Sequence, residues 1–154
     1  MGYTLLLIDF QSGFEDADPD FESRILRLLD QAMLDGADIV LCEFFRFGAT
    51  WKFIRDKLKT YNRKHVVRKK NQNGGFHVQR KLRRLKLKQL HEVKVAGLYA
   101  EWCVKDTVIT LAQLMPDSQF RILKPCCIQF AATKKHAWEK YDCYLTDIKN
   151  LRLV

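Results

Sequence analysis

The residue best suited to covalent chemistry is Cys103, in the segment Val95-Ala96-Gly97-Leu98-Tyr99-Ala100-Glu101-Trp102-Cys103-Val104. The pattern reads as a strand running into a glycine, then a tight turn, then a helix with the cysteine in its first turn. At such a place the helix dipole and the free backbone N–H groups favour a thiolate, and the same N–H groups are donors for a developing oxyanion. A nucleophile of this kind needs a base and a positive neighbour. Asp9, which closes the apolar run Leu5-Leu6-Leu7-Ile8, is a candidate base, and Lys69 or Lys70 a candidate cation. Each has a plainer reading: buried filler for the cysteine, a cap or loop acid for the aspartate, a solvated charge run for the lysines.

The elements that must position these groups follow from hydrophobic periodicity. Strands are expected at 3–9, 38–44, 64–68, 93–98 and 120–123, with a short edge strand at 144–146. Helices are expected after Asp18 or Asp20, with Phe21, Ile25, Leu28, Leu29 and Ala32 on one face and Gly36 ending it, and at 50–58. Another follows the turn at 71–75, with Val78, Leu82 and Leu85 on its apolar face, and two more are expected at 101–114 and 131–141. Alternating strands and helices imply right-handed βαβ units: an α/β fold of three αβα layers, Rossmann-like, whose mostly parallel sheet of five to six strands has helices on both faces. Residues 1–154 read as one domain. In such sheets functional groups sit at the carboxyl ends of strands, where Asp9, Lys69 or Lys70, and the segment ending in Cys103 all fall.

Three segments, in order, resemble the isochorismatase-like cysteine hydrolases. Leu6-Leu7-Ile8-Asp9-Phe10-Gln11-Ser12-Gly13-Phe14 resembles the family's opening I-D-M-Q-x-x-F. Lys69-Lys70-Asn71-Gln72-Asn73-Gly74-Gly75-Phe76 is similar to K-x-x-x-S-A-F, and Gly97 to Val104 with Thr107 to G-x-x-T-x-x-C-V-x-x-T. The resemblance spans nearly the whole chain and implies an Asp–Lys–Cys triad with Asp9 as general base and Cys103 as nucleophile. Counting back from Phe76 selects Lys70 as the lysine, with Lys69 the alternative if the loop carries an insertion. It further implies a cis peptide at Leu98–Tyr99 and oxyanion donors at the backbone N–H groups of Tyr99 and Cys103. The chain departs from the family pattern in Gly74-Gly75 for Ser-Ala and in Ala100 for threonine. The nicotinamidase branch binds a metal after its second strand, whereas Cys42-Glu43-Phe44-Phe45-Arg46-Phe47-Gly48 has no histidine, so neither metal nor other cofactor is expected. The expected reaction is metal-independent cleavage of a small amide or related carbon–nitrogen bond. Isochorismatase-type chemistry on an enol ether, for which a cysteine is not obligatory, is the nearby alternative. Candidate substrate contacts are Gln11, Phe44, Trp102 and Phe76, with the loop as an equal alternative for Gln11 and core or interface packing for Phe44.

Composition narrows the remaining classes. Five cysteines without regular spacing and four scattered histidines argue against a disulfide framework and a zinc site. No apolar run is long enough to cross a bilayer and no basic leader opens the chain, so a cytoplasmic location is expected. Charge is segregated: residues 1–51 carry 3 basic and 10 acidic groups, residues 52–94 carry 16 and 2, and residues 95–154 carry 8 and 6, giving −7, +14 and +2. The basic middle reads as the solvated face of an amphipathic helix, as a field that draws in an anionic small-molecule substrate, or as a nucleic-acid contact unaccompanied by any recognised motif. A catalytically inactive member of the fold, binding nucleic acid or an acidic protein through residues 52–94, is the competing functional class. Relatives commonly form closed assemblies, so a homo-oligomer is expected.

Overall fold

The run Leu5 to Ile8 is apolar at every position because it is the middle of a sheet covered on both sides. In the computed structural model, which describes residues 2–85, 91–130 and 148–154, strand β1 (Thr4–Ile8) is buried along its whole length. Its neighbours are β2 (Asp38–Phe44) and β4 (Glu92–Leu98), both parallel to it. Outside these lie β3 (Lys64–Lys69), β5 (Gln119–Ile128) and β6 (Leu151–Leu153), giving one all-parallel sheet in the order β3-β2-β1-β4-β5-β6. The order reverses at β1, and in a doubly wound sheet the crevice outside the carboxyl ends of the strands at that switch point is where ligands bind.

Side chains alternate across a strand, so one strand feeds two cores. Leu6 and Ile8 face one way, with Val40, Val78, Leu82, Val108 and Leu111. Leu5 and Leu7 face the other, with Phe21, Ile25, Leu29, Ile39 and Ile54. The first layer is closed by α3 (Gly75–Arg84) and α4 (Lys105–Leu114), the second by α1 (Pro19–Leu34) and α2 (Lys52–Lys57). This is the three-layer α/β architecture expected from the alternation of elements. Helix α1 starts as its sequence predicts: the Asp18 carboxylate accepts the Phe21 N–H at 2.8 Å, and Pro19 occupies the first turn.

Three differences from the sequence reading have physical causes. Strand β5 does not stop at 123 but runs ten residues, through Pro125 to Ile128. Its pairing to β4 slips between Val95 and Gly97, and such an irregularity is where a strand accommodates proline. The helix expected at 101–114 is α4 preceded by a π-helical turn over Ala100–Val104, a form that concentrates at functional sites. The sixth strand is Leu151–Leu153; the helix expected at 131–141 and the edge strand at 144–146 lie outside the described residues. No helix among the described residues is long and apolar enough to cross a membrane.

Asn150, just before β6, holds this last strand in place. Its Nδ2 lies within hydrogen-bond reach of the carbonyls of Ala112 (3.1 Å), Met115 (3.2 Å) and Ser118 (2.9 Å), tying down the carboxyl end of α4 and the turn that follows. Its own carbonyl accepts from Phe120 N–H at 2.8 Å. Replacing Asn150 with alanine strands buried carbonyls, and urea denaturation of that variant is expected to show a loss of about 1–3 kcal/mol. A midpoint equal to that of the parent chain would show that water replaces the amide at no cost.

Candidate active site

Asp9 leaves β1 in the left-handed region, at φ 59°, a conformation uncommon for a residue with a side chain and costly unless its surroundings hold it. The Asp9 N–H is fixed by the Cys42 carbonyl of β2 at 2.9 Å, and the Asp9 carbonyl accepts from Gln11 N–H at 2.8 Å. Gly97, level with Ile8 across the β1–β4 pair, allows the strand end to come close: a Cβ there would stand 2.6 Å from the Ile8 carbonyl oxygen and 2.9 Å from Val104. Cys103 lies in the π-helical turn beyond β4, 7% exposed. The peptide Leu98–Tyr99 is cis, at the position the resemblance implies.

The lysine that meets Asp9 is Lys69, the alternative, and not Lys70. Strand alternation decides between them. Along the end of β3, Val67 and Lys69 are buried while Arg68 and Lys70 are exposed, because Val67 belongs to the core face and Lys69 follows it at a spacing of two. Lys69 is 0% exposed and Asp9 1%. The Lys69 Nζ is 2.8 Å from Asp9 Oδ2, donates to the Gln72 carbonyl at 2.8 Å, and lies 4.7 Å from the centre of the Phe44 ring. The contact with Asp9 is an ion pair rather than a well-angled hydrogen bond, which leaves the carboxylate able to accept from another group. The Cys103 thiol lies close enough for its ionisation to feel both the Asp9 and the Lys69 charge.

Burial dominates the proton affinities. It raises Asp9 above the usual carboxylate range, against the opposing pull of the Lys69 charge. It also pushes the Cys103 thiol up to about 12, with the Asp9 charge adding to the rise and the Lys69 charge opposing it. These effects oppose the one expected from the helix start. Desolvation and a neighbouring carboxylate both favour the neutral thiol.

The other expected contacts divide. Gln11, 1% exposed, serves the loop: its Nε2 donates to the carbonyls of Phe44 (3.0 Å) and Gly48 (2.7 Å), and its Oε1 accepts from Phe44 N–H (2.6 Å). With every polar hydrogen and the acceptor engaged, it braces the end of β2 rather than a substrate. Phe44 is at the site, under the Lys69 ammonium. Trp102, 40% exposed, packs against Tyr99 and Phe130. Phe76 is 63% exposed and lines a separate groove with Arg80 and Arg83, so its place in the substrate set is not supported. Tyr99 carries its carbonyl to the N–H groups of Trp102 and Val104, at 3.1 and 3.2 Å, which fixes the turn that presents Cys103.

Several further residues contribute, of which Thr110 and Asp106 were not singled out in the sequence. Phe14 and Phe47 stack at 4.6 Å, and through Phe44 on one side and Tyr99 on the other they join the aromatic groups beside Lys69 and Cys103. The loop after β3 is sewn to α4: Gly74 N–H donates to Thr107 Oγ1 (2.9 Å), Asn73 Nδ2 to Thr110 Oγ1 (2.7 Å), and Gln72 Nε2 to Asp106. The Asn and Gln in this glycine-bearing stretch were the available signal, since short polar side chains in a turn commonly bond nearby backbone and helix groups. In α3, Val78 and Leu82 are buried while Arg80, Arg83 and Arg84 are exposed, the amphipathic arrangement of a solvated basic face; residues 86–90 lie outside the described residues.

The segment after β2 does not fit a metal. Arg46 and three phenylalanines stand there, Glu43 is engaged by Thr50 at 2.7 Å, and among the described residues no group of three or more His, Cys, Asp or Glu side chains is placed to hold an ion.

An all-parallel sheet brings an acid and a lysine together at its switch point, with a cysteine in the turn beside them. The family model of the isochorismatase domain matches residues 3–147, and the chain belongs to that family. Its fold is that of the nicotinamidase/pyrazinamidase of Bacillus subtilis, at TM-score 0.79 and 16% identity with all of both chains covered. It is equally that of the nicotinamidase of Staphylococcus aureus, at TM-score 0.79 and 14% identity over 99% of this chain and 98% of that one. The YcaC gene product of Escherichia coli, described as an octameric hydrolase of unknown specificity, matches at TM-score 0.74 and 18% identity over 99% of this chain and 74% of that one. No protein of curated function matches the chain by sequence.

Burying two charges makes the pair unforgiving of the loss of one member. Lys69→Met is expected to lower unfolding free energy by about 3–5 kcal/mol at neutral pH, because it leaves Asp9 buried and uncompensated. The same change at exposed Lys70 is expected to leave the urea midpoint where it was, and Asp9→Asn combined with Lys69→Met to recover much of the loss. Equal effects at 69 and 70 would contradict the assignment of the buried lysine.

Proposed function

We propose that the protein is a metal-independent cysteine hydrolase that cleaves a small amide or related carbon–nitrogen bond with Asp9, Lys69 and Cys103. The observation that carries this reading is the convergence of the three side chains at the sheet's switch point, with the Lys69 ammonium fully buried 2.8 Å from Asp9 Oδ2. A buried cation beside a buried acid, both within reach of a thiol, costs stability that a purely structural site has no reason to bear.

Asp9 takes the Cys103 proton as the sulfur attacks the substrate carbonyl carbon. The raised affinity of the Asp9 carboxylate for protons narrows its mismatch with the thiol, and Lys69 stabilises the negative charge that moves from carboxylate to sulfur. The backbone N–H groups of Tyr99 and Cys103 are the proposed oxyanion donors. Collapse of the tetrahedral adduct breaks the C–N bond; Asp9 returns its proton to the departing amine or ammonia, leaving an acyl thioester. Water, relieved of a proton by Asp9, then releases the acid and restores the thiol. Phe44, Trp102 and Tyr99 form apolar walls suited to a small flat substrate. The basic middle segment favours an anionic one, and assembly of several copies is proposed alongside.

The test is ammonia release from a panel of small primary amides, pyrazinamide and nicotinamide among them. Cys103→Ala is expected to abolish release, and Asp9→Asn to reduce it by about 10²–10⁴-fold. Because the base must be ionised and burial raises its pKa, kcat/KM is expected to fall on acidification at a pH above the ordinary carboxylate value of about 3.9. Full activity in Cys103→Ala, or an acid limb at the ordinary carboxylate value, would overturn the mechanism.

A further inference from the structure

Two residues without a role in the reaction stand beside the alkyl stem by which Lys69 reaches Asp9. Cys42, in β2, is buried, and its thiol is held neutral, pushed up to about 12 chiefly by desolvation. Gly74 opens α3 on the other side. Its φ of −95° is open to any residue, so glycine is not there for backbone freedom. Space is what it supplies. A Cβ at position 74 would stand 2.9 Å from Cys42 Sγ, 3.0 Å from Lys69 Cδ and 3.4 Å from Thr107 Oγ1. The backbone cannot retreat to make room, because Gly74 N–H is held by Thr107, itself fully buried on α4, and Asn73 is held by Thr110. Nor can the stem of Lys69 swing outward, since its ammonium is anchored by Asp9 and the Gln72 carbonyl.

We infer that Cys42 and Gly74 are positioning residues that form a fitted channel for the Lys69 stem, the thiol occupying the volume that the missing Cβ at 74 leaves free. The inference rests on the catalytic reading for its consequence but not for its geometry. The two positions are coupled. A methyl group added at 74 presses on both Cys42 and Lys69, and removing the Cys42 sulfur gives that methyl group a place to go. Either change alone moves the ammonium relative to Asp9 and Cys103. A displacement of the order of 1 Å in a catalytic group costs up to about a hundredfold in rate.

The experiment uses two readouts on the intact chain. The first is the NMR signal of the Lys69 ammonium, identified by its loss in Lys69→Met. The second is the rate at which acrylamide alkylates Cys103 across pH, followed by intact-protein mass spectrometry, with Asp9→Asn as reference. Gly74→Ala is expected to shift the ammonium signal and to slow alkylation about ten- to a hundredfold. Gly74→Ala with Cys42→Ala is expected to restore both most of the way. Cys42→Ala alone, a truncation that preserves the fold even if Gly74→Ala does not, is expected to shift the ammonium signal. An unmoved ammonium signal in Cys42→Ala and in whichever Gly74→Ala chain folds would overturn the inference, as would a double variant no better than Gly74→Ala. If the signal moves and recovers as expected while alkylation ignores even Asp9→Asn, the channel stands and the catalytic reading fails.

Discussion

Everything at the carboxyl end of this sheet is arranged around two charges that water does not reach. Moving a carboxylate and an ammonium out of water costs several kcal/mol each, and their mutual attraction recovers this only when geometry and further partners are good. Lys69 has the Asp9 carboxylate, the Gln72 carbonyl and the face of Phe44 around one ammonium. Asp9 has fewer partners, which is why burial lifts its proton affinity instead of being cancelled. That imbalance is useful. A carboxylate fully satisfied by hydrogen bonds would be too weak a base for a thiol that itself is pushed up to about 12. In the proposed mechanism, proton transfer from sulfur to Asp9 becomes favourable only when an electrophile draws charge from sulfur.

The strand periodicities and helix faces made most of the fold legible, because both faces of the sheet are covered and the patterns are therefore clean. The bounds of β2 read from sequence are those observed, and α1 begins at the cap its residues announce. Legibility failed where local pattern and tertiary pairing disagree. Pro125 reads as the end of a strand, yet β5 continues because β4 offers a partner on the far side of an irregular step. Leu151–Leu153 is too short to signal a strand by itself and forms one because Asn150 anchors it and β5 supplies an edge.

At the site, order along the chain pointed to Asp9 and Cys103, since each follows its strand directly. It was not enough for the lysine. Counting from Phe76 chose Lys70, whereas the pleat chose Lys69 through the inward parity set by Val67. The buried valine two residues earlier was the stronger signal, because strand alternation is enforced by the core and loop length is not. Gln11 was left between two readings for a different reason. A glutamine near a catalytic acid suits either a substrate or a loop, and only the positions of the Phe44 and Gly48 backbone groups separate the two.

The departures from the family pattern gather around the charged centre and leave its three members in place. Gly74-Gly75 stands against Lys69 and α4, Ala100 lies buried at the start of the π-helical turn, and Arg46 with its flanking phenylalanines replaces potential metal ligands. Proton transfer and nucleophilic attack need only the centre; what is bound depends on the rim. Under the proposed function, such a rim holds its substrate by shape and by aromatic faces. Phe14, Phe47, Phe44 and Tyr99 touch one another in series, so a change in one ring is felt by the next. Under the proposed function, selectivity is therefore a collective property of packed rings around a fixed charge pair.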